Sequence, residues 1–231
     1  MELLRDYMQG ARDSIPIMLG VMPFGITCGV MGLAAGLTPA ETILMSLLVF
    51  AGAAQFICIT MLGAGITGWG LIVFTTLLIN LRHLLMGASL APQLLKLPLA
   101  RQILLAFALT DESYAITVNR TAQVGYSANY QMGSSWALYF TWALSTIVGV
   151  LVGSYIPDPL AWGLDFAMPA VFLAMLVPRL NNPVSVAVCL VAAVTAVVGA
   201  AYLPGKWYII AACVSASIVG GLLEKEENHA V

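Results

Sequence analysis

The chain has 231 residues, of which 61% are hydrophobic and only 9% are charged, and its formal net charge is −2. Soluble domains carry about 25% charged residues, so this chain has too little charge to cover a water-facing surface. Its few charges are scattered, which excludes the basic patch of a nucleic-acid-binding protein. The composition therefore predicts a polytopic membrane protein.

Apolar runs predict about seven to eight transmembrane helices. A membrane barrel would need strands of alternating polarity, so the fold class is all-α. With short loops between the spans, residues 1–231 are expected to form a single integral membrane domain. The predicted spans lie near residues 15–37, 41–63, 69–91, 101–120, 134–155, 162–180, 183–203 and 207–223.

The segment before the first span is predicted to be a short helix at the membrane interface. Leu4, Met8, Ala11 and Ile15 recur at helical spacing and share one face. A helix with one apolar face and one charged face lies in the plane of the interface. Membrane lipid is therefore an expected partner of this segment.

The first span carries glycines at helical spacing, at positions 25, 29, 32 and 36. Such a stripe favours close packing between membrane helices. Pro23 precedes the stripe and removes one backbone hydrogen bond. A break near Pro23 and Gly25, which would present backbone groups to a substrate, is the functional interpretation.

A weak internal repeat is visible in two motifs. FAGAAQF at 50–56 resembles FAMPAVF at 166–172. One interpretation is two related halves, about residues 20–120 and 134–223, and the other is chance similarity between alanine-rich strings. If the repeat is real, the interrupted helices of the two halves mark the binding site.

Those interruptions would be Gly52 in the first motif and Pro169 in the second. Gln55 is a lone amide in the first motif, within an apolar span. A hydrogen bond between helices is one role for it, and contact with a substrate is the other. All three residues are candidates for the substrate pathway.

Charged residues interrupt two neighbouring spans in their middle. Asn80, Arg82 and His83 lie in the third span, and Asp111 and Glu112 lie in the fourth. A charge at bilayer depth costs at least about 2.5–3.5 kcal/mol on insertion scales. Two adjacent spans with opposite charges therefore predict an ion pair, and a buried ion pair is a poor stabiliser compared with apolar packing. These residues are predicted to line a substrate or proton pathway, and the alternative is a salt bridge that only holds two helices together.

Helical spacing separates the carboxylates. Asp111 shares a face with Tyr114, whereas Glu112 points about 100° away. One carboxylate is expected to pair with Arg82 while the other faces a cavity and carries a proton. The spacing leaves open which residue has which role.

Signatures of enzymes and metal sites are missing from the sequence. It contains no HExxH, no GxSxG and no glycine-rich phosphate loop. His83 and His229 are too few and too far apart for a histidine metal site. No enzymatic activity, cofactor or metal is predicted.

Five motifs in order resemble the AzlC family, the large subunit of bacterial branched-chain amino acid exporters. They are PFG (23–25), FAGAAQF (50–56), NLRHLL (80–85), LTDESYA (109–115) and LDFAMPAVF (164–172), and the resemblance runs from about residue 10 to 222. It implies an exporter of leucine, isoleucine, valine and methionine in the bacterial inner membrane. It also implies a small AzlD-type membrane subunit as partner.

The charged candidate residues have the chemistry that binding of an amino acid requires. A zwitterionic amino acid needs a cation or helix N-terminus for its carboxylate and an acid or carbonyls for its amine, which Arg82 and Asp111 or Glu112 would supply. No nucleotide-binding motif is present, so a proton-driven secondary transporter is expected. A channel without coupling and a scaffold or assembly subunit are the alternatives.

Overall fold

The protein is helical throughout the part of the chain that the computed structural model describes, which comprises residues 2–155, 170, 173, 176, 177, 180–203 and 207–227. The all-α prediction is confirmed, since these residues contain no strand. Ten helices lie in the described ranges: α1 (Glu2–Asp13), α2 (Ile15–Ala34), α3 (Pro39–Leu48), α4 (Gly52–Gly63), α5 (Trp69–Leu94), α6 (Leu99–Phe107), α7 (Asp111–Val124), α8 (Ala128–Ser154), α9 (Pro183–Tyr202) and α10 (Trp207–Glu227).

Four of these helices are long and apolar enough to cross a membrane, namely α2, α5, α8 and α9. They correspond to the spans predicted near 15–37, 69–91, 134–155 and 183–203, and α10 matches the last predicted span. The prediction of a multi-pass membrane protein is confirmed. The span predicted near 162–180 lies largely outside the described residues.

Two predicted spans are broken rather than continuous. The span at 41–63 consists of α3 and α4, separated at residues 49–51, which we call the first break. The span at 101–120 consists of α6 and α7, separated at residues 108–110, which we call the second break. The first break lies directly before Gly52, where the sequence predicts an interruption. For the span at 101–120 the prediction of an unbroken helix was wrong, because hydropathy reports the length of an apolar run and not its backbone conformation.

The helix break predicted at Pro23 and Gly25 is also wrong, because both residues lie inside the continuous helix α2. Pro23 removes only the N–H that would donate to the Leu19 carbonyl, a loss that membrane helices tolerate. In the glycine stripe, Gly25 and Gly29 pack on α8. A Cβ on Gly25 would lie 2.6 Å from the Cβ of Ser145. Close packing therefore keeps α2 continuous through Pro23.

The described chain divides into two compact units, one with α1 to α8 and one with α9 and α10. In the second unit α9 and α10 pack on each other, and the Ser215 hydroxyl donates to the Thr195 hydroxyl at 3.1 Å. The second repeat motif, with Pro169, lies outside the described residues.

Candidate functional site

The first break is a strained turn of backbone held by an aromatic side chain. Phe50 has a φ of 45°, in the left-handed region that bulky residues rarely adopt. Such strain costs about 1–3 kcal/mol and persists only where the surroundings impose it. The ring of Tyr139 on α8 packs edge-on against Phe50 at 5.0 Å, and its hydroxyl donates to the Leu47 carbonyl at 2.9 Å. Tyr139 thus fixes the end of α3 and the turn that follows.

Gln55 fastens the start of α4 to α8 through a buried network. Its amide nitrogen donates to the Ser46 hydroxyl at 2.8 Å, and its amide oxygen accepts from the Trp142 indole at 3.1 Å. The Ser46 and Thr146 hydroxyls are 3.0 Å apart and also share a hydrogen bond. Gln55 is 1% exposed. Both ends of the amide are therefore used within the protein, as an interhelical role requires.

The N-terminus of α4 has no side-chain cap. Ala51 occupies the N-cap position and accepts no hydrogen bond from the helix through its side chain. The first residues are Gly52, Ala53 and Ala54, whose N–H groups have no partner within a helix. These groups carry the positive end of the helix dipole. A Cβ on Gly52 would lie 2.9 Å from the Trp142 ring, so glycine is needed for the ring to sit there.

The second break is made by a capping box at the start of α7. Thr110 is extended, with φ −129° and ψ 169°. The N–H of Ser113 donates to the Thr110 hydroxyl at 3.3 Å, and the N–H of Thr110 donates to the Ser113 hydroxyl at 2.9 Å. The sequence TDES has the spacing of this box, with serine in the place of glutamate. That signal could have revealed the break from the sequence alone.

Asp111 and Glu112 therefore lie in the first turn of α7, not in the middle of a long helix. Carboxylates are stabilised at this position by the helix dipole. Asp111 forms an ion pair with Arg82 of α5. Both side chains are partly buried, with 28% of Arg82 and 20% of Asp111 exposed. The ion pair predicted from the sequence exists, and Asp111 is the partner of Arg82.

Tyr114 reinforces the same contact. Its hydroxyl lies 2.7 Å from the hydroxyl of Ser89 on α5. Asp111 and Tyr114 share one face of α7, while Arg82 and Ser89 are two turns apart on one face of α5. Leu109 of the second break is 3% exposed and packs in a core cluster with Met86 and Leu90 of α5. The second break is thus tied to α5 by an ion pair, a hydrogen bond and apolar packing.

Glu112, Asn80 and His83 lie half-buried around the ion pair. Glu112 takes part in no ion pair with the described side chains. The Nδ1 of His83 and the Oδ1 of Asn80 are buried without a hydrogen-bond partner in the described residues. These two polar atoms are therefore available to bind a ligand beside the Arg82–Asp111 ion pair.

Tyr139 connects the two breaks. Its ring contacts Phe50 of the first break and lies 5.8 Å from Phe107, the last residue of α6 before the second break. Trp136, one turn earlier on α8, lies 5.1 Å from Tyr139 and 6.4 Å from Phe107. We call these four rings the aromatic bridge. The sequence analysis missed it, since nothing in the pattern of α8 distinguishes these aromatic residues from ordinary membrane packing.

No cluster of three or more metal-ligating side chains occurs in the described ranges. The site consists of two helix N-termini, one without a cap and one acidic, with the aromatic bridge between the ends of the preceding half-helices. Discontinuous helices at membrane depth are tolerated only where protein or a water-filled cavity surrounds them. The fold and site thus define a multi-pass helical membrane protein with two discontinuous helices.

A family model described as AzlC protein matches residues 16–156. The protein belongs to the AzlC family, and the matched part runs from α2 to the end of α8, so it contains both breaks. No solved structure matches the chain.

Three relatives illustrate the similarity. The chain is 28% identical to the inner membrane protein YgaZ of Escherichia coli over 94% of this chain and 88% of that protein. It is 33% identical to an uncharacterized membrane protein of Archaeoglobus fulgidus over 76% and 77% of the two chains. It is 30% identical to the branched-chain amino acid transport protein AzlC of Bacillus subtilis over 72% and 65%.

Proposed function

We propose that the protein exports branched-chain amino acids and methionine across the bacterial inner membrane, driven by protons. It would act as the large subunit of a two-component exporter with a small AzlD-type membrane subunit. Membership of the AzlC family and the name of the Bacillus subtilis relative support the substrate class. The observation that carries the proposal is the pair of half-helix N-termini, one bare and one acidic, joined through Tyr139.

The bare N-terminus of α4 suits the substrate carboxylate. An anion at a helix N-terminus accepts hydrogen bonds from backbone N–H groups and is stabilised by the positive end of the helix dipole. The residues there are Gly52, Ala53 and Ala54, whose small size allows close approach to the backbone, and the first two are partly exposed. Arg82 is paired with Asp111, so it is a weaker candidate for the carboxylate than the sequence analysis supposed.

Glu112 suits the substrate ammonium group and the proton. It is half-buried and unpaired among the described side chains, whereas the charge of Asp111 is balanced by Arg82. A carboxylate that binds either a proton or an ammonium group couples the two by competition. Asp111 and Arg82 then form the fixed pair that holds α7 on α5, with His83 and Asn80 beside the path of the proton.

The aromatic bridge suits the aliphatic side chain of the substrate. Trp136 and Tyr139 are only partly buried, so a ligand between the breaks would find an apolar wall. Apolar contact of this kind discriminates weakly, by roughly 10- to 200-fold per methylene group. Several aliphatic amino acids would therefore share the site.

The test is efflux of labelled leucine from proteoliposomes that contain the protein with its small subunit, under an imposed pH gradient. We expect the gradient to drive efflux in the wild type. Glu112→Gln is expected to abolish gradient-driven efflux and to retain leucine–leucine exchange at a raised half-saturating leucine concentration, because exchange needs no proton and the amide oxygen can still accept from the ammonium group. Glu41→Gln is the matched control, since Glu41 is an exposed acid whose capping contact with Thr38 a glutamine can keep.

Each other outcome favours a different function. Flux that follows the leucine gradient and ignores pH would identify a channel. If the protein is folded and bound to its subunit but transports no aliphatic amino acid, the scaffold role is supported. Normal driven efflux in Glu112→Gln would remove Glu112 from the proton pathway while leaving the exporter intact.

Ala51→Ser tests the carboxylate end of the site. The new hydroxyl can cap α4 by accepting from its first turn, in competition with the substrate. Caps are worth about 0.5–2 kcal/mol, so the half-saturating leucine concentration should rise roughly threefold to tenfold with little change in maximal rate. Ala40→Ser, at an exposed position near the start of α3, should behave as the wild type. An unchanged half-saturation in Ala51→Ser would place the carboxylate elsewhere.

A further inference from the structure

Two acidic residues of α1, Asp6 and Asp13, form bonds to other helices of the same unit. Asp6 accepts a hydrogen bond from the Ser127 hydroxyl and lies 3.5 Å from the guanidinium of Arg120. Asp13 accepts from the Tyr130 hydroxyl at 2.8 Å. One side of α1 is thus fastened by its carboxylates to the end of α7 and the start of α8.

Close packing accompanies these bonds. A Cβ on Gly10 would collide with the backbone of Tyr130, and a Cβ on Gly133 would collide with the backbone of Tyr7. The Ser14 hydroxyl donates to Ser134 at 2.8 Å, and both serines are fully buried. The orientation of α1 about its own axis is therefore fixed.

This orientation turns the apolar face of α1 outward. Leu4, Met8 and Ile15 are 65%, 63% and 49% exposed, as expected for the interfacial helix that the sequence predicts. Arg5 and Arg12 are exposed and two turns apart, and helical spacing places them between the apolar face and the two aspartates. Neither arginine forms an ion pair with a described side chain.

We propose that α1 is a binding site for anionic phospholipid. Its apolar residues lie among the acyl chains, and Arg5 and Arg12 bind the phosphate groups of the same leaflet. The helix has an uneven distribution of charge: Asp6 and Asp13 bond to the end of α7 and the start of α8, whereas Arg5 and Arg12 are exposed and form no ion pair with a described side chain. Charge complementarity therefore selects anionic over zwitterionic headgroups.

The site lies next to the transport machinery along the chain. Arg120, which forms an ion pair with Asp6, is on α7, the helix that begins with Asp111 and Glu112. Lipid bound on α1 would hold Asp6 and Asp13 in place and so stabilise the far end of α7. Anionic lipid is then a stabilising ligand of the same unit that contains both helix breaks.

The experiment measures lipid retention and thermal stability of the full chain in nanodiscs of phosphatidylcholine, with or without phosphatidylglycerol. Phosphatidylglycerol should raise the unfolding temperature of the wild type by several degrees, and native mass spectrometry should detect bound phosphatidylglycerol. The double variant Arg5→Gln, Arg12→Gln should lose the shift and bind the lipid more weakly, by roughly fivefold for each arginine. The double variant Lys96→Gln, Arg101→Gln removes the same charge from other exposed positions and should keep both effects.

Two results would overturn the proposal. Equal losses in both double variants would mean that lipid responds to total charge and not to α1. A wild type that is indifferent to phosphatidylglycerol would exclude an anionic-lipid site altogether. Because neither readout measures transport, they decide the lipid site independently of the export function.

Discussion

The two helix breaks have the same backbone role and opposite chemistry. The first is closed by neutral hydrogen bonds around Gln55 and by a strained Phe50, and the helix after it begins without a cap. The second is closed by a capping box, and the helix after it begins with two carboxylates, one of which pairs with Arg82. The hydrogen bonds of the first break reach α8, whereas the ion pair of the second reaches α5.

This difference predicts different roles for the two breaks in transport. Neutral, fully satisfied networks rigidify a region without responding to pH. Carboxylates in a half-buried position can exchange protons and bind cations. We therefore expect the first break to act as the rigid part of the site and the second to be the part whose charge changes during transport.

Gln55→Leu should have the largest effect on stability. The substitution leaves the buried Trp142 N–H without its acceptor and removes one of the two hydrogen bonds of the Ser46 hydroxyl, which costs about 2–4 kcal/mol. Thermal unfolding of purified protein measures the loss, with Gln123→Leu as the control because Gln123 is exposed. Equal stability of Gln55→Leu and the control would show that the network does not hold the first break.

Arg82→Gln should have a smaller effect on stability. It removes the guanidinium from beside the Asp111 carboxylate at partial exposure, for which we expect about 1–3 kcal/mol, less than the 3–5 kcal/mol of a fully buried pair. Adding Asp111→Asn should restore part of the loss, since the carboxylate that lost its guanidinium is then replaced by a neutral amide. A double variant less stable than Arg82→Gln alone would contradict the fixed pair, and Arg101→Gln controls for loss of an exposed arginine.

Tyr139→Phe should have the smallest effect on stability and a distinct effect on function. The ring keeps its contacts with Phe50 and Phe107, but the Leu47 carbonyl loses its donor, at a cost of about 1 kcal/mol. Since the hydroxyl steadies the first break, maximal efflux should fall while the ranking of aliphatic substrates stays the same. Tyr155→Phe, at an 85% exposed position, is the control. A changed ranking would show that the hydroxyl itself contacts the substrate.

Part of the site was predictable from residue chemistry. Arg82 and a carboxylate of the next span had to find partners because unpaired charges at bilayer depth are costly, and the structure pairs them. The TDES capping box was also readable, although a hydropathy window hides it in a long apolar run. The unbroken α2 was not predictable from Pro23, because packing of its glycines on α8 outweighs the local loss of one hydrogen bond.

Composition and periodicity were sufficient for the membrane class, the helical fold and the presence of opposite charges in neighbouring spans, since these follow from the cost of polar groups in lipid. Only the tertiary structure decided the strained turn at Phe50, the choice of Asp111 over Glu112 and the position of Tyr139 between the breaks. Each of these depends on contacts between residues that are about 30 to 90 positions apart. Local spacing carries no information about such contacts, whereas the packing of α8 and α5 against the half-helices specifies them.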